Sequence, residues 1–303
     1  MTTRGAAALA LLFSALAVRG ALADEDRRSD AFEQTFAVAP DVRVDVEIMT
    51  GRIELRGIDS NELRVRAKGE IRVKGSRRRV SVRASSVGWR KWAKPVEVEL
   101  EIELPRKSRI TARTINGGIK AENVDGELEL HAANGAIEVK GAPEEAYLET
   151  MNAAIKFEGK RSEVVAKTLN GEIELEGVSG EVQANTVSGK IRVAGEQIER
   201  ADLRTMAGAI ELDSSLAQGA RVSARSFSGP VKLRLPEGTS ARFDVQSYSG
   251  GVESDFAASL DDGGGDHRFG HGAGRPHSFV VGDGDARISI ESFSGGVEIE
   301  RRD

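Results

Sequence analysis

The chain has 303 residues, with 43 Lys or Arg against 48 Asp or Glu, a formal net charge of −5 and no Cys. Without Cys there is no disulfide framework, no thiol nucleophile and no lipid-modified Cys, and the acidic balance speaks against a nucleic-acid partner. Aromatic residues make up only 5% while Gly reaches 34 residues, which suits a thin interior of Val, Ile, Leu, Ala and Thr rather than a thick sandwich core.

At the start, Arg4 supplies a positive charge, Ala6 to Val18 is an apolar run, and Ala21-Leu22-Ala23 before Asp24 fits a small-residue cleavage site. Residues 1–23 read as a secretory signal peptide. The run is shorter than the ~20 residues of a membrane span, Arg19 interrupts its far end, and no later segment is apolar enough to be a transmembrane span. The mature chain is expected to begin near Asp24 with a flexible stretch over 24–34, and to be exported to the periplasm or cell surface.

Residues 35–113 hold VRVDVEI, GRIELRGI, ELRVRAKGEIRV and VEVELEIELP, each alternating apolar and polar with period two, the signature of half-buried strands. They read as irregular opening coils of a domain covering 35–303. Within them, Arg64 to Lys94 contains 12 Lys or Arg against the single acid Glu70. Such an imbalance steers an anionic partner to one end of the molecule. Arg77, Arg78, Arg79, Trp89, Arg90, Lys91 and Trp92 are accordingly the candidate residues for an anionic envelope component, a lipid headgroup or an acidic glycan. The plainer account is that these are solvated positions whose charge guards strand edges.

Over 114–254 one phrase returns: TINGGIKA, AANGAIEV, TMNAAIKF, TLNGEIEL, TVSGKIRV, TMAGAIEL, SFSGPVKL and SYSGGVES, with SFSGGVEI once more near the end. Positions 117, 135, 153, 171 and 189 are each 18 apart, and the spacing then relaxes to 19, 21 and 21. A period this short cannot hold a helical hairpin; it fits one coil of two short strands and two turns that buries its apolar side only by stacking on the next. The fold is therefore expected to be all-β, a single parallel β-solenoid with 18–21-residue coils; an antiparallel β-meander is the alternative, since NG and SG turns serve both. One column separates them. Lys120, Glu138, Lys156, Glu174, Arg192, Glu211, Lys232 and Glu253 alternate in sign, which is useful only if equivalent residues lie on neighbouring strands, where opposite charges attract and like charges repel.

The residue before each turn Asn or Ser forms a second column, Ile115, Ala133, Met151, Leu169, Val187, Met206, Phe227, Tyr248 and Phe293. On a straight strand these would point outward as an apolar docking stripe. A corner at that point would instead tuck them into the end of the solenoid, and this is the expectation, with Phe227, Tyr248 and Phe293 left partly exposed. Residues 255–285 form a Gly/His-rich loop in which His267, His271 and His277 lie near Asp261, Asp262 and Asp266. It is too rich in Gly to hold an H-x-x-x-H pair on one helix face, so no metal site and no cofactor are expected there. His131 is an ordinary surface residue, and residues 286–303 are the closing coil.

The order of TFAVAPDVRVDVEIMTGRIELRG, VEVELEIELP, the T-x-N-G and S-x-S-G coils, SYSGGVESDF and GDGDARISIESFSGGVEIE resembles the bacterial family of exported putative adhesins with β-strand repeats, over roughly residues 35–300. The resemblance implies a β-solenoid of the cell envelope that binds a partner; its phrases describe a scaffold and carry no catalytic residues. Ala153 and Ala207 depart from the turn pattern. The expected function is a non-enzymatic envelope scaffold or adhesin-like protein binding an anionic component, a glycan or an envelope protein. The alternative is a polysaccharide-active enzyme, which needs two carboxylates about 5–9.5 Å apart in distinct environments. Every Glu-rich outward row is expected to be interrupted by Lys or Arg, and the sequence contains no G-x-S-x-G elbow and no phosphate loop.

Overall fold

The structure is a computed structural model, and it describes residues 31–84, 97–160, 162–256, 268–269 and 276–302. The signal peptide, Trp89, Arg90, Lys91, Trp92, His267 and His271 lie outside the described residues.

Each coil contributes two strand segments. A leading segment runs into the T-x-N-G phrase, as in Arg109–Asn116 and Glu127–Asn134, and a trailing segment leaves it, as in Ile119–Glu122 and Ile137–Lys140. Trailing segments stack on trailing segments in parallel and in register, Ile119 beside Ile137 beside Ile155 beside Ile173 beside Ile191. Leading segments do likewise, with Leu128 beside Ala146 beside Val164 beside Val182. The parallel solenoid is thus established over the repeats, and the meander is excluded there. Toward the C-terminus the trailing and leading segments fuse across bulges into long bent strands, Ile173–Ser188, Ile191–Ala207 and Ile210–Ser228.

The two faces enclose a single thin core. In one coil Ile173, Leu175, Val178, Val182 and Ala184 are buried and Thr186 nearly so, while the intervening residues face solvent. Burial of this alternating set is the main favourable term, roughly 25 cal/mol per Å² of apolar area. The turn phrase now has a physical reading. The Thr or Ser hydroxyl points inward and donates to the carbonyl of the turn residue one coil below: Thr168 to Ala153 O at 3.2 Å, Thr186 to Gly171 O at 3.1 Å, Thr205 to Gly189 O at 3.1 Å. The Asn side chains form their own ladder, Asn170 donating to Asn152, Asn152 to Asn134 and Asn134 to Asn116 at 2.8–3.0 Å.

Both ends of the stack are closed by antiparallel strands. At the N-terminal end Glu62–Lys68 pairs antiparallel with Val98–Pro105 and with Ala31–Ala37, and Ile71–Gly75 pairs antiparallel with Arg79–Ala84. At the C-terminal end Pro276–Val281 covers Ala241–Ser247. A solenoid otherwise ends in unpaired backbone that invites another chain to add on. The last coil is not last in space. Ala286–Ser292 and Val297–Arg302 lie between the coil of residues 221–236 and the coil of residues 241–254.

That insertion corrects the charge column. Its spatial order is Glu54, Lys120, Glu138, Lys156, Glu174, Arg192, Glu211, Lys232, Glu298, alternating throughout. Glu253, which follows Lys232 in chain order, instead sits beside Glu298. Contacts within the column include Lys156–Glu174 at 3.0 Å, Arg192–Glu174 at 3.3 Å and Arg192–Glu211 at 3.2 Å. Hydrogen bonds from Lys156 and Arg192 hold the Glu174 carboxyl below its ordinary value, and those from Lys190 and Arg192 do the same for Glu211. Because the folded values are lowered, this stabilisation is present above the ordinary carboxylate range and is lost as pH falls through the folded values. Glu174→Lys is expected to lose two attractions and gain two repulsions, costing about 1 kcal/mol at low salt and less at high salt. Urea denaturation checks this against Glu196→Lys, an exposed residue with no ion pair among the described residues; equal effects would remove the column's role.

Candidate functional site

The corner column is exposed along its whole length, at Phe227, Tyr248 and Phe293 as expected and at the aliphatic rungs against the expectation that a corner tucks them in. Met49, Ile115, Met151, Leu169, Val187, Met206, Phe227, Phe293 and Tyr248 are all exposed, between 40% and 58%. At Met49, Ile115, Val187, Met206 and Phe227 the strand runs on into the turn phrase, and at Met151, Leu169, Tyr248 and Phe293 a bend begins there; in both cases the side chain next to the inward residue points outward. Only Ala133 interrupts the run with a small side chain. Because the last coil is inserted, the aromatic end is ordered Phe227, Phe293, Tyr248: the rings of Phe227 and Phe293 stack at 4.7 Å and 3°, and Tyr248 leans on Phe293 at 5.5 Å. A shallow apolar groove of about 800 Å³ runs beside Met151, Leu169, Val187, Met206, Phe227 and Phe293. The leading-strand residues flanking it are mixed in sign, including Glu149, Lys167, Arg204, Arg225 and Glu291.

The basic block is largely neutralised in its first third. Arg64 pairs with Glu103 at 2.9 Å, Arg66 with Glu33 at 3.1 Å and Lys68 with Glu99 at 2.6 Å across the antiparallel cap. The hydrogen bond from Lys68 lowers the Glu99 carboxyl and raises the Lys68 ammonium. Farther along, Arg79 holds Asp45 at 2.8 Å and Arg83 holds Glu47 at 3.4 Å. Arg77 and Arg78 are exposed. They lie at the turn where Arg77 O accepts from Ala39 N and Arg78 O accepts from Arg43 N. Arg43 itself lies in register between Arg79 and Arg109. Arg43, Arg78, Arg79, Arg109 and Asp41 line a concavity of about 410 Å³.

One row on the leading face overturns the expectation that acidic rows are broken by bases. Glu127, Glu145, Glu163 and Glu181 are stacked on four successive strands without a basic residue between them. They line a groove of about 910 Å³ together with His131 and Tyr147. His131 lies 2.9 Å from Glu129 and 3.4 Å from Glu149, and its hydrogen bond lowers the Glu129 carboxyl. The signal was in the sequence, at the 18-residue period, in a different column from the one that alternates. His277 lies on the strand Pro276–Val281 in the C-terminal cap. Among the described residues no group of three or more His, Asp or Glu is placed to hold a metal ion, and no helix is long and apolar enough to cross a membrane.

Similar solved structures include a putative adhesin from Bacteroides fragilis, 10% identical, with 89% of this chain and 97% of that chain covered and a TM-score of 0.43. A putative adhesin from Parabacteroides merdae is 11% identical over 89% of this chain and 96% of its own, with a TM-score of 0.36. A putative lipid binding protein from Parabacteroides distasonis is 10% identical over 90% of this chain and 97% of its own, with a TM-score of 0.33. No curated protein matches. Residues 40–300, nearly the whole described solenoid, match the model of the Toastrack family DUF4097, so the chain belongs to that family.

Proposed function

We propose that the protein is an exported, non-enzymatic scaffold of the bacterial cell envelope, and that the corner ladder docks an envelope protein through an extended apolar ridge. The observation that carries this is the line of nine large apolar side chains, each 40–58% exposed, along one corner of the stack. Contiguous exposed apolar surface of this extent marks an interaction site. Ten rungs at strand spacing extend about 40 Å, longer than a small ligand covers. Phe227 and Phe293 use their faces on one another, so these two rings offer edges rather than a platform for a sugar ring. The mixed signs beside the ladder do not suit an anionic membrane surface, which selects clustered Lys and Arg.

The test uses the variant Met206→Ser, Phe227→Ser, Phe293→Ser. Its melting temperature is expected to stay close to that of the wild type, because exposed positions contribute little to the core. Cross-linking to detergent-solubilised envelope fractions is expected to fall strongly for the variant and to vanish for both proteins after protease treatment of the fraction. Cross-linking that survives protease, or that the variant retains in full, would sink the proposal.

A second reading rests on Arg43, held in register between Arg79 and Arg109 with Arg78 alongside. Arg79 is matched to Asp45 at 2.8 Å and Arg109 to Glu127 at 3.4 Å, which leaves Arg43 without an ion pair among the described residues, and an anionic envelope component at this cap, reached by Arg77, Arg78 and Arg79, would supply that counter-charge. The enzymatic alternative requires two carboxylates in different environments. Glu145, Glu163 and Glu181 occupy equivalent, exposed positions of one row, which supports the non-enzymatic reading.

A further inference from the structure

The leading-face row that begins with Arg79, Arg43 and Arg109 and continues through four glutamates ends in four more arginines. Arg200 lies beside Arg221, Arg221 beside Arg287, and Arg287 beside Arg242, all in parallel register. Arg200 reaches Glu181 at 3.7 Å. Arg221, Arg287 and Arg242 are exposed and have no ion pair among the described residues. In the trailing column the same chain alternates charge rung by rung, whereas no acid separates these arginines, and Arg225 on the neighbouring row is matched to Glu291 at 3.3 Å. Four arginines at a spacing of about 4.8 Å repel one another in the free protein.

We propose that Arg200, Arg221, Arg287 and Arg242 form a binding site for an acidic polysaccharide carrying one carboxylate on each sugar, with successive carboxylates accepting from successive guanidinium groups. A ladder on an exposed sheet face offers no enclosure for a single anion, whereas an extended polyanion meets all four charges at once. The glutamate block that continues the row limits the footprint to these rungs and repels a long stiff polyanion. No exposed aromatic ring lies within the four-arginine row for nucleobases to stack on.

The test measures binding of polygalacturonate oligomers by calorimetry, with fully methyl-esterified oligomers, inorganic phosphate and single-stranded DNA as comparison probes. Affinity is expected to rise with oligomer length over the first few sugars, to be lost on esterification, and to fall with salt. Arg287→Glu is expected to weaken binding by roughly tenfold or more. It is also expected to raise the melting temperature of the free protein by roughly 2 °C, because two repulsions become attractions. Arg221→Gln with Arg287→Gln gives the same loss of binding if the reversal variant does not fold. Replacing the exposed Arg52 of the opening coil by Ser leaves this binding unchanged, which separates the site from exposed basic residues elsewhere on the stack. Binding independent of length, equal binding of phosphate, tighter binding of DNA, or an Arg287→Glu variant that is destabilised while still binding would each overturn the proposal.

Discussion

Phe157→Ala is expected to destabilise the protein by about 3–5 kcal/mol, the cost of emptying a fully buried aromatic position. Phe157 is wholly buried on the trailing strand Ile155–Glu158, between Val139 below and Leu175 above. It is the bulkiest side chain of its column, which otherwise reads Ala121, Val139, Leu175, Val193 and Leu212. The same coil carries the small Ala166 at an inward leading position, so ring volume and methyl share one layer. Gly159 belongs to the same arrangement, because a Cβ there would lie 2.3 Å from the Phe157 ring. A solenoid couples each coil only to its neighbours, so the lost ring is also expected to broaden the urea transition as the two halves uncouple. An equilibrium denaturation curve with unchanged midpoint and slope would show that the layer repacks.

Gly189→Val is expected to cost about 3 kcal/mol for a different reason, overpacking against backbone. A Cβ at Gly189 would stand 1.9 Å from Gly171 O and 2.6 Å from its carbon. That carbonyl is also the acceptor of the Thr186 hydroxyl, so moving it aside breaks the inward hydrogen bond. The same approach recurs at Gly171, Gly208 and Gly229, each stacked on the turn carbonyl of the coil below. Ala153 carries one methyl at the equivalent position of its own coil, and Ala is expected to cost less than Val at Gly189. Gly238→Val is the control, since a Cβ there meets nothing within 4 Å. Equal melting temperatures for the two Val variants would show that the glycine column is not a close-packing requirement.

What the amino-acid sequence determined was everything that repeats. An 18-residue period with alternating apolar positions requires coils that stack, and an outward column alternating from Lys120 to Lys232 requires that equivalent positions be neighbours. Both are properties of one coil and its nearest copy, so they are legible without a fold. The four-glutamate row was legible by the same rule, at positions 127, 145, 163 and 181.

The tertiary structure decided what the repeat leaves degenerate. Coils with nearly identical strand edges are interchangeable, so chain order does not say that residues 286–302 insert before the coil of residues 241–254. That one choice brings Phe227 onto Phe293, replaces Glu253 by Glu298 in the charge column, and assembles Arg221, Arg287 and Arg242 into a ladder. The exposure of the corner ladder was likewise undetermined, because a side chain at a turn points in or out according to the direction in which the backbone leaves the strand. Only the closed coil, with Thr168, Thr186 and Thr205 bonded inward to the carbonyls beneath them, turns Leu169, Val187 and Met206 outward.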